Sequence, residues 1–269
     1  MNSTTIKTTV AGLSDVGNVR KLNEDNYSVN TEHNLYVVAD GMGGHDKGEV
    51  ASKEAIEVID EFVTQSYEDI IDSLDDENDE PDDDATLVDE PNPAIQIISD
   101  AIELANKKIH AMNSLKGYTD GQGMGTTVAG VWLHQNCKIA ISFHVGDSRI
   151  YRYRDGKLIQ ISRDHTLYQF WEDNGRKGEP PTKNIILRAV GPWDETSSDI
   201  NIHGVANQDM FLVCSDGLTG SLSDEDIENV LKDTTNENLD EACKKLIEQA
   251  KVQDGSDNIT VIITHCNTD

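Results

Sequence analysis

Lysine and arginine are scarce: the 269-residue chain carries 22 of them against 50 Asp and Glu, a formal charge of −28. So acidic a surface is repelled by nucleic acid phosphates and by anionic lipid, which makes both poor partners. Cysteine is scarce too. Cys137, Cys214, Cys243 and Cys266 make no CxxC pair and no disulfide framework, as expected of free thiols in a reducing, cytoplasmic setting. No apolar run approaches the roughly 18 residues that a membrane span needs, and the N-terminal stretch has no signal-peptide block. Several catalytic signatures are also missing. Six positions after Cys137, Cys214 and Cys243 stand Phe143, Gly220 and Gln249, not the arginine of a cysteine phosphatase, and Cys266 lies too near the end. Ile150 stands where a GxSxG elbow needs its last glycine, and neither a Walker lysine nor HExxH occurs.

What remains is a folding composition. The chain is 36% hydrophobic with 20 further glycines, and its length suits one large domain or two small ones. The acid is concentrated. Between Lys53 and Lys107 there are 19 Asp and Glu and no base, so the rest of the chain carries only −9. The centre of that stretch, residues 73–93, holds three of the six prolines and reads as a solvated, disordered insertion. It has no glycine, which excludes a calcium loop.

Ala51, Ala55, Val58 and Phe62 predict an amphipathic helix over about 47–64. After the acidic stretch, Asn92 caps and Pro93 opens a second helix, with Ile97, Ala101, Leu104 and Met112 expected inward. Strands follow at 126–133 and 138–145, the latter alternating Ile139, Ile141, Phe143 and Val145 with Lys138, Ala140, Ser142 and His144. Asp155-Gly156 reads as a hairpin turn between strands at 151–153 and 158–161. Helices at about 223–232 and 239–252 close the series. Helices in pairs and strands in runs predict an antiparallel, layered α+β fold.

Four acids share one design. Apolar Leu35–Ala39 ends in Asp40-Gly41, and apolar Met210–Cys214 ends in Ser215-Asp216-Gly217. Asp257 precedes the apolar run Ile259–Ile263, and Asp120 precedes Gly123-Met124-Gly125-Thr126-Thr127. On antiparallel neighbours, two strand ends and two strand starts gather at one sheet edge. Carboxylates so crowded repel one another unless a divalent cation joins them, and an all-oxygen site suits Mg²⁺ or Mn²⁺. Arg20, shortly before Glu24-Asp25, offers forked donors for a phosphoryl group.

With these pieces in order, the sequence resembles the metal-dependent protein phosphatases of type 2C in their bacterial form. The matching stretches are SDVGNVRKLNEDN (14–26), VVADGMGGH (37–45), GMGTT (123–127), HVGDSRIYRYRDGKL (144–158), RDHT (163–166), FLVCSDGL (211–218) and SDNITVI (256–262). The resemblance implies a single domain over 1–269, a four-layer αββα sandwich of two antiparallel sheets flanked by helix pairs, with a flap at 165–195. It implies hydrolysis of phosphoserine and phosphothreonine in proteins by metal-activated water, opposing a cognate Ser/Thr kinase, in a protein expected to be monomeric. Asp40 resembles the acid bridging two Mn²⁺ or Mg²⁺ ions, with the Gly41 carbonyl on one of them. Asp216 and Asp257 resemble ligands of the second ion, and Asp120 with Asp216 those of a third. Glu24 and Asp25 match acids that hold metal waters, Arg20 the phosphate-binding arginine, and His45 a candidate leaving-group acid. Gly146-Asp147-Ser148-Arg149 is also a family signature, expected to be structural. The sequence departs from the family in its long acidic insertion and a short flap, and Met42 stands where the eukaryotic branch has histidine. The rival readings are a catalytically silent phosphatase-fold module that binds phosphoproteins, and an acidic scaffold or cation buffer.

The segment 73–91 has little apolar material to bury, and a shorter connection alters closure entropy little. Replacing it with a short Gly/Ser linker is expected to leave the thermal midpoint and metal-dependent turnover of a small phosphate ester unchanged. Unfolding of that variant would make the segment part of the domain.

Overall fold

The computed structural model describes residues 6–43, 47–76, 92–134 and 138–268. Alternating β-branched residues near both ends of the chain form its longest ladder. β1 (Ile6–Asp15) runs antiparallel to β11 (Ile259–Thr268), with Ile6 opposite Thr268 and Asp15 opposite Ile259. β10 (Met210–Cys214), β7 (Arg149–Arg154) and β8 (Lys157–Gln160) extend this sheet in the order β1-β11-β10-β7-β8. β7 and β8 are joined by Asp155 and Gly156, both at positive φ (52° and 78°), as a tight hairpin requires. The second sheet runs β2 (Asp25–Asn30), β3 (Leu35–Met42), β5 (Val128–His134), β6 (Ile139–Val145), β9 (Asp199–Gly204), with β4 (Gly125–Thr126) paired to the end of β3.

Helices cover the outer face of each sheet. α1 (Gly48–Asp76) and α2 (Pro93–Leu115) pack on the second sheet through Ala51, Ala55, Ile59, Ile98 and Ile102. α4 (Asp216–Ser221), α5 (Asp224–Lys232) and α6 (Leu239–Gln253) pack on the first through Leu218, Ile227, Leu246 and Ile247. Between the sheets lie Tyr36, Val38, Val131, Phe211, Val213 and Ile262. The expected four-layer α+β sandwich is therefore the observed one.

The structure corrects several local expectations. β6 is buried on both faces from Ala140 to Val145, because one face meets the helices and the other the opposite sheet. Leu104 is exposed, not inward. α2 instead buries Ala94, Ile98, Ala101, Ile102, Ala105 and Ile109 together with two asparagines. Asn106 accepts the Gly191 N–H (2.7 Å) and donates to the carbonyls of Trp193 and Asp194. Asn113 accepts the Met124 N–H (3.0 Å) and donates to the Met124 and Gly191 carbonyls. These bonds set the rotation of the helix and fasten the arm 190–194 to it. α1 also continues past the predicted end near residue 64 to Asp76; the centre of the acidic stretch, 77–91, lies outside the described residues. Asn92 caps α2 as expected, accepting the Ala94 N–H at 3.0 Å. No helix among the described residues is long and apolar enough to cross a membrane.

Gly130 on β5 lies opposite Phe143 on β6, and a Cβ there would come 2.3 Å from the phenyl ring. Gly130→Ala forces that ring off its rotamer within a closed core. It is expected to cost about 1–3 kcal/mol in denaturant unfolding, and an unchanged midpoint would contradict this packing.

Candidate active site

Asp25 and Asp40 face each other directly across the β2–β3 ladder. Like charges in that position are destabilising, and the structure adds more of them. Asp216 begins α4 where β10 ends, and its carboxyl is hydrogen-bonded to that of Asp40. Asp257, before β11, is close enough to raise the carboxyls of both Asp25 and Asp216. Asp25 and Asp147 are buried, whereas Asp40 and Asp216 open to solvent on one side while protein surrounds the others.

The consequences for protonation follow. Burial, reinforced by Asp216 and Asp257, pushes Asp25 up to about 6 even though Thr260 and Ser215 donate to it. Burial, then Asp216 and Asp164, push Asp147 up to about 7. Burial and the charges of Asp25, Asp216 and Asp147 hold Asp40 well above the carboxylate range. Asp216 is raised by burial and by Asp257. Cation-free, the cluster must hold protons that neutral solution tends to remove.

Backbone and side-chain bonds fix these acids in place. Ser215 Oγ and Thr260 Oγ1 donate to Asp25 Oδ2 at 2.8 and 2.7 Å, while Oδ1 is buried without a hydrogen-bond partner. Thr127 brackets Asp40, its N–H donating to the Asp40 carbonyl (2.9 Å) and its Oγ1 accepting the Asp40 N–H (3.0 Å). Gly41 is required by space: a Cβ would lie 2.3 Å from the Gly48 carbonyl oxygen. Gly217 is equally confined, 2.0 Å from the Asn258 carbonyl oxygen. Asn258 ties the N-terminal loop down by accepting the Glu24 N–H and donating to the carbonyls of Val16 and Leu22. On that loop, the half-exposed Arg20 reaches Asp257 Oδ2 at 2.7 Å and Glu24 Oε2 at 4.0 Å. Glu24 accepts the Gly48 N–H (3.2 Å), and burial raises its carboxyl above the usual value.

Of the sequence candidates, Arg20, Glu24, Asp25, Asp40, Gly41, Asp216 and Asp257 are thus drawn to one end of the sandwich. Asp120 is not buried with them: its side chain is 69% exposed and Oδ1 faces His110 Nε2 at 3.6 Å. His45 lies outside the described residues. Asp147, expected to be structural, is a member of the cluster. It follows the apolar β6 and Gly146 just as Asp40 follows Leu35–Ala39, so the same pattern marked it. Its neighbours are structural as expected, with Ser148 Oγ bonded to Thr127 Oγ1 (2.7 Å) and Arg149 forked onto Asp164 (2.7–3.1 Å).

The donor set, all oxygen and with an unpartnered Asp25 Oδ1, fits a hard divalent cation such as Mg²⁺ or Mn²⁺. Beside it, a cleft of about 330 Å³ runs from Asp147 and Asp216 to Tyr168, Gln169 and Glu172 of α3 (Leu167–Asp173) and to Lys183. The three thiols among the described residues play no part. Burial pushes Cys214, Cys243 and Cys266 up to about 12, so none is a thiolate nucleophile.

Comparison with known proteins agrees with this geometry. The family profile of protein phosphatase 2C matches residues 18–251. The chain is 34% identical over 258 residues to the serine/threonine protein phosphatase PstP of Mycobacterium tuberculosis, covering 94% of this chain but 44% of that protein's length. It is 32% identical over 263 residues to the protein phosphatase PhpP of Streptococcus pneumoniae, covering 95% of this chain and 96% of PhpP. The solved catalytic domain of PstP, in complex with two manganese ions, superposes with a TM-score of 0.77 at 31% identity, covering 98% of this chain and all of that one. The chain belongs to the protein phosphatase 2C family.

Proposed function

We propose that this chain removes phosphate from phosphoserine and phosphothreonine in proteins, opposing a Ser/Thr kinase. The observation that carries the reading is the convergence of Asp25, Asp40, Asp147 and Asp216, the last two lining a cleft, with one buried carboxylate oxygen left without a partner. Asp40, Asp216, Asp257 and the Gly41 carbonyl would hold two divalent cations, as the resemblance implies, and the exposed Asp120 would join Asp216 only at a third. Bound Mn²⁺ or Mg²⁺ supplies charge neutralisation and acidifies water for attack on phosphorus. Glu24 and Asp25 would orient water at such a site, as the resemblance implies. Arg20 engages the phosphoryl oxygens with its fork and offsets their charge. The cleft toward α3 receives the polypeptide on either side of the phosphorylated residue. A silent phosphatase-fold module is marked by lost ligand acids, and none of Asp40, Asp216 and Asp257 is lost here.

Turnover of an aryl phosphate is expected with Mn²⁺ or Mg²⁺ and not after exhaustive chelation; full activity in chelator would overturn the metal reading. Asp216→Asn is expected to abolish turnover while leaving a folded protein by circular dichroism. Arg20→Ala is expected mainly to raise KM, because the arginine holds the ground-state phosphate as well as the transition state.

Protonation gives a further expectation. Asp25 and Asp147 have folded values near 6 and 7, above the ordinary 3.8, so protons favour the folded state. Their contribution is complete below about pH 4 and is lost as pH rises through 6 to 7. The thermal midpoint of chelated protein is expected to fall from pH 5 to pH 8, and Mn²⁺ to raise it most at pH 8. A chelated midpoint that rises across this range contradicts the assignment.

A further inference from the structure

Among the described residues, His144, His165 and Asp199 bring ligating atoms within 4.8 Å of one another, away from the carboxylate cluster. Their hydrogen bonds tell against an ion. His165 Nδ1 accepts the Gly146 N–H at 3.2 Å, so the neutral ring carries its proton on Nε2, which faces Asp199 Oδ2 at 3.3 Å. A metal-bound histidine instead donates its second ring N–H. The place of a cation is also taken: Arg188 Nη1 donates to Asp199 Oδ1 at 2.8 Å and lies 3.2 Å from His165 Nε2.

The group has the geometry of a clamp. His165 N–H donates to the Gly146 carbonyl (2.9 Å), and its own carbonyl accepts the Leu187 N–H (2.7 Å). With the two ring contacts, every polar group of His165 is engaged. His144 stacks on it at 4.6 Å, with ring planes 22° apart. On one side, His165 adjoins Thr166, whose hydroxyl accepts the Gln169 N–H and caps α3, the wall of the cleft. On the other, Gly146 precedes Asp147 and has φ of +106°; a Cβ there would meet Thr127, the residue that brackets Asp40, at 2.6 Å. Burial and His144 lower His165 to about 4, which keeps Nδ1 an acceptor at neutral pH.

We propose that His165 is a positioning residue that couples the cleft wall to the carboxylate centre, its ring holding Gly146 and hence Asp147 on one side and, on the other, Asp199, which in turn pairs with Arg188. The proposal rests on the reading of that centre as a cation site. Its two ring contacts can be separated. His165→Asn keeps an acceptor near the Nδ1 position, toward Gly146, but cannot reach Asp199. His165→Gln reaches toward Asp199 but leaves the Gly146 N–H unsatisfied.

The test is Mn²⁺ binding by calorimetry, with trypsin cleavage at the exposed Arg176, Lys177 and Lys183 as a measure of flap opening. His165→Gln is expected to bind Mn²⁺ about tenfold more weakly than the unaltered chain, the effect of one buried donor left unpaired. His165→Asn is expected to bind Mn²⁺ within about twofold of the unaltered chain, yet to be cut faster in the flap. Equal loss in both variants, or no loss in His165→Gln, overturns the clamp. If His165→Gln does not fold, hydrogen exchange of the unaltered chain decides. Mn²⁺ must then slow exchange in the segment 163–168, and unchanged exchange there overturns the proposal. These readouts do not use turnover, so a chain that binds Mn²⁺ but hydrolyses nothing refutes the phosphatase reading alone. A chain that binds no Mn²⁺ overturns both.

Discussion

Asp25 belongs to one sheet and takes its hydroxyl partners from the other, Thr260 on β11 and Ser215 immediately after β10. That three-way bond stitches the two layers together at the end where Asp40, Asp147 and Asp216 also converge, so a structural contact and a chemical site share one carboxylate. Unpaired buried charge is costly, and two donors on Oδ2 offset only part of that cost while Oδ1 has no partner. The remainder falls on a proton or a cation. The supporting bonds, Thr127 to Asp40 and Asn258 to the Arg20 loop, are mostly to backbone. The acids are therefore held in place whether or not the charge is compensated, as a preorganised site requires.

The charge of the whole chain works against its proposed substrate. A formal −28 repels a phosphorylated protein at low ionic strength, and only screening, with a Debye length near 8 Å at physiological salt, limits this to short range. On the proposed reading, attraction must therefore be local: from the cations the site would hold, from Arg20 beside Asp257, and from Lys183 in the cleft, which lies over the Tyr168 ring at 5.3 Å. The same negative field draws basic segments toward the protein. Binding then depends on the sequence around the phosphorylated residue as well as on the phosphate.

Period and punctuation made much of this legible in the sequence. Asp155-Gly156 announced its hairpin, Asn92-Pro93 its helix start, and the acids at strand ends a common edge. What period cannot tell is how many layers cover a strand: β6 alternates in sequence yet is buried on both faces. Nor can an apolar stripe register polar anchors. Asn106 and Asn113 turn α2 so that Leu104 faces solvent, because the carbonyls of the arm 190–194 need donors there. Asp147 fitted the pattern that identified Asp40, although its motif was expected to be structural. Arg149 is forked onto Asp164, and its charge offsets only part of what burial, Asp216 and Asp164 impose on Asp147. Asp120 shared the pattern and lies exposed, since Gly121 and Gly123, both at positive φ, carry the chain around before β4 begins.

Arg20 illustrates how the parts depend on one another. Its guanidinium rests on Asp257 with nearly half of its side chain in solvent, and exposed pairs of this kind contribute only about 0–1 kcal/mol. Releasing the arginine is therefore cheap, but only if Asp257 has something better to hold. On the proposed reading, a cation held by Asp257 would weaken its attraction for the guanidinium and leave the fork free to meet a phosphate. Were Arg20 to leave first, Asp257 would remain beside Asp216 and Asp25 with no positive neighbour, raising their repulsion further. Arg20 and a cation thus compete for the Asp257 carboxylate, which on the proposed reading puts cation binding ahead of phosphate binding.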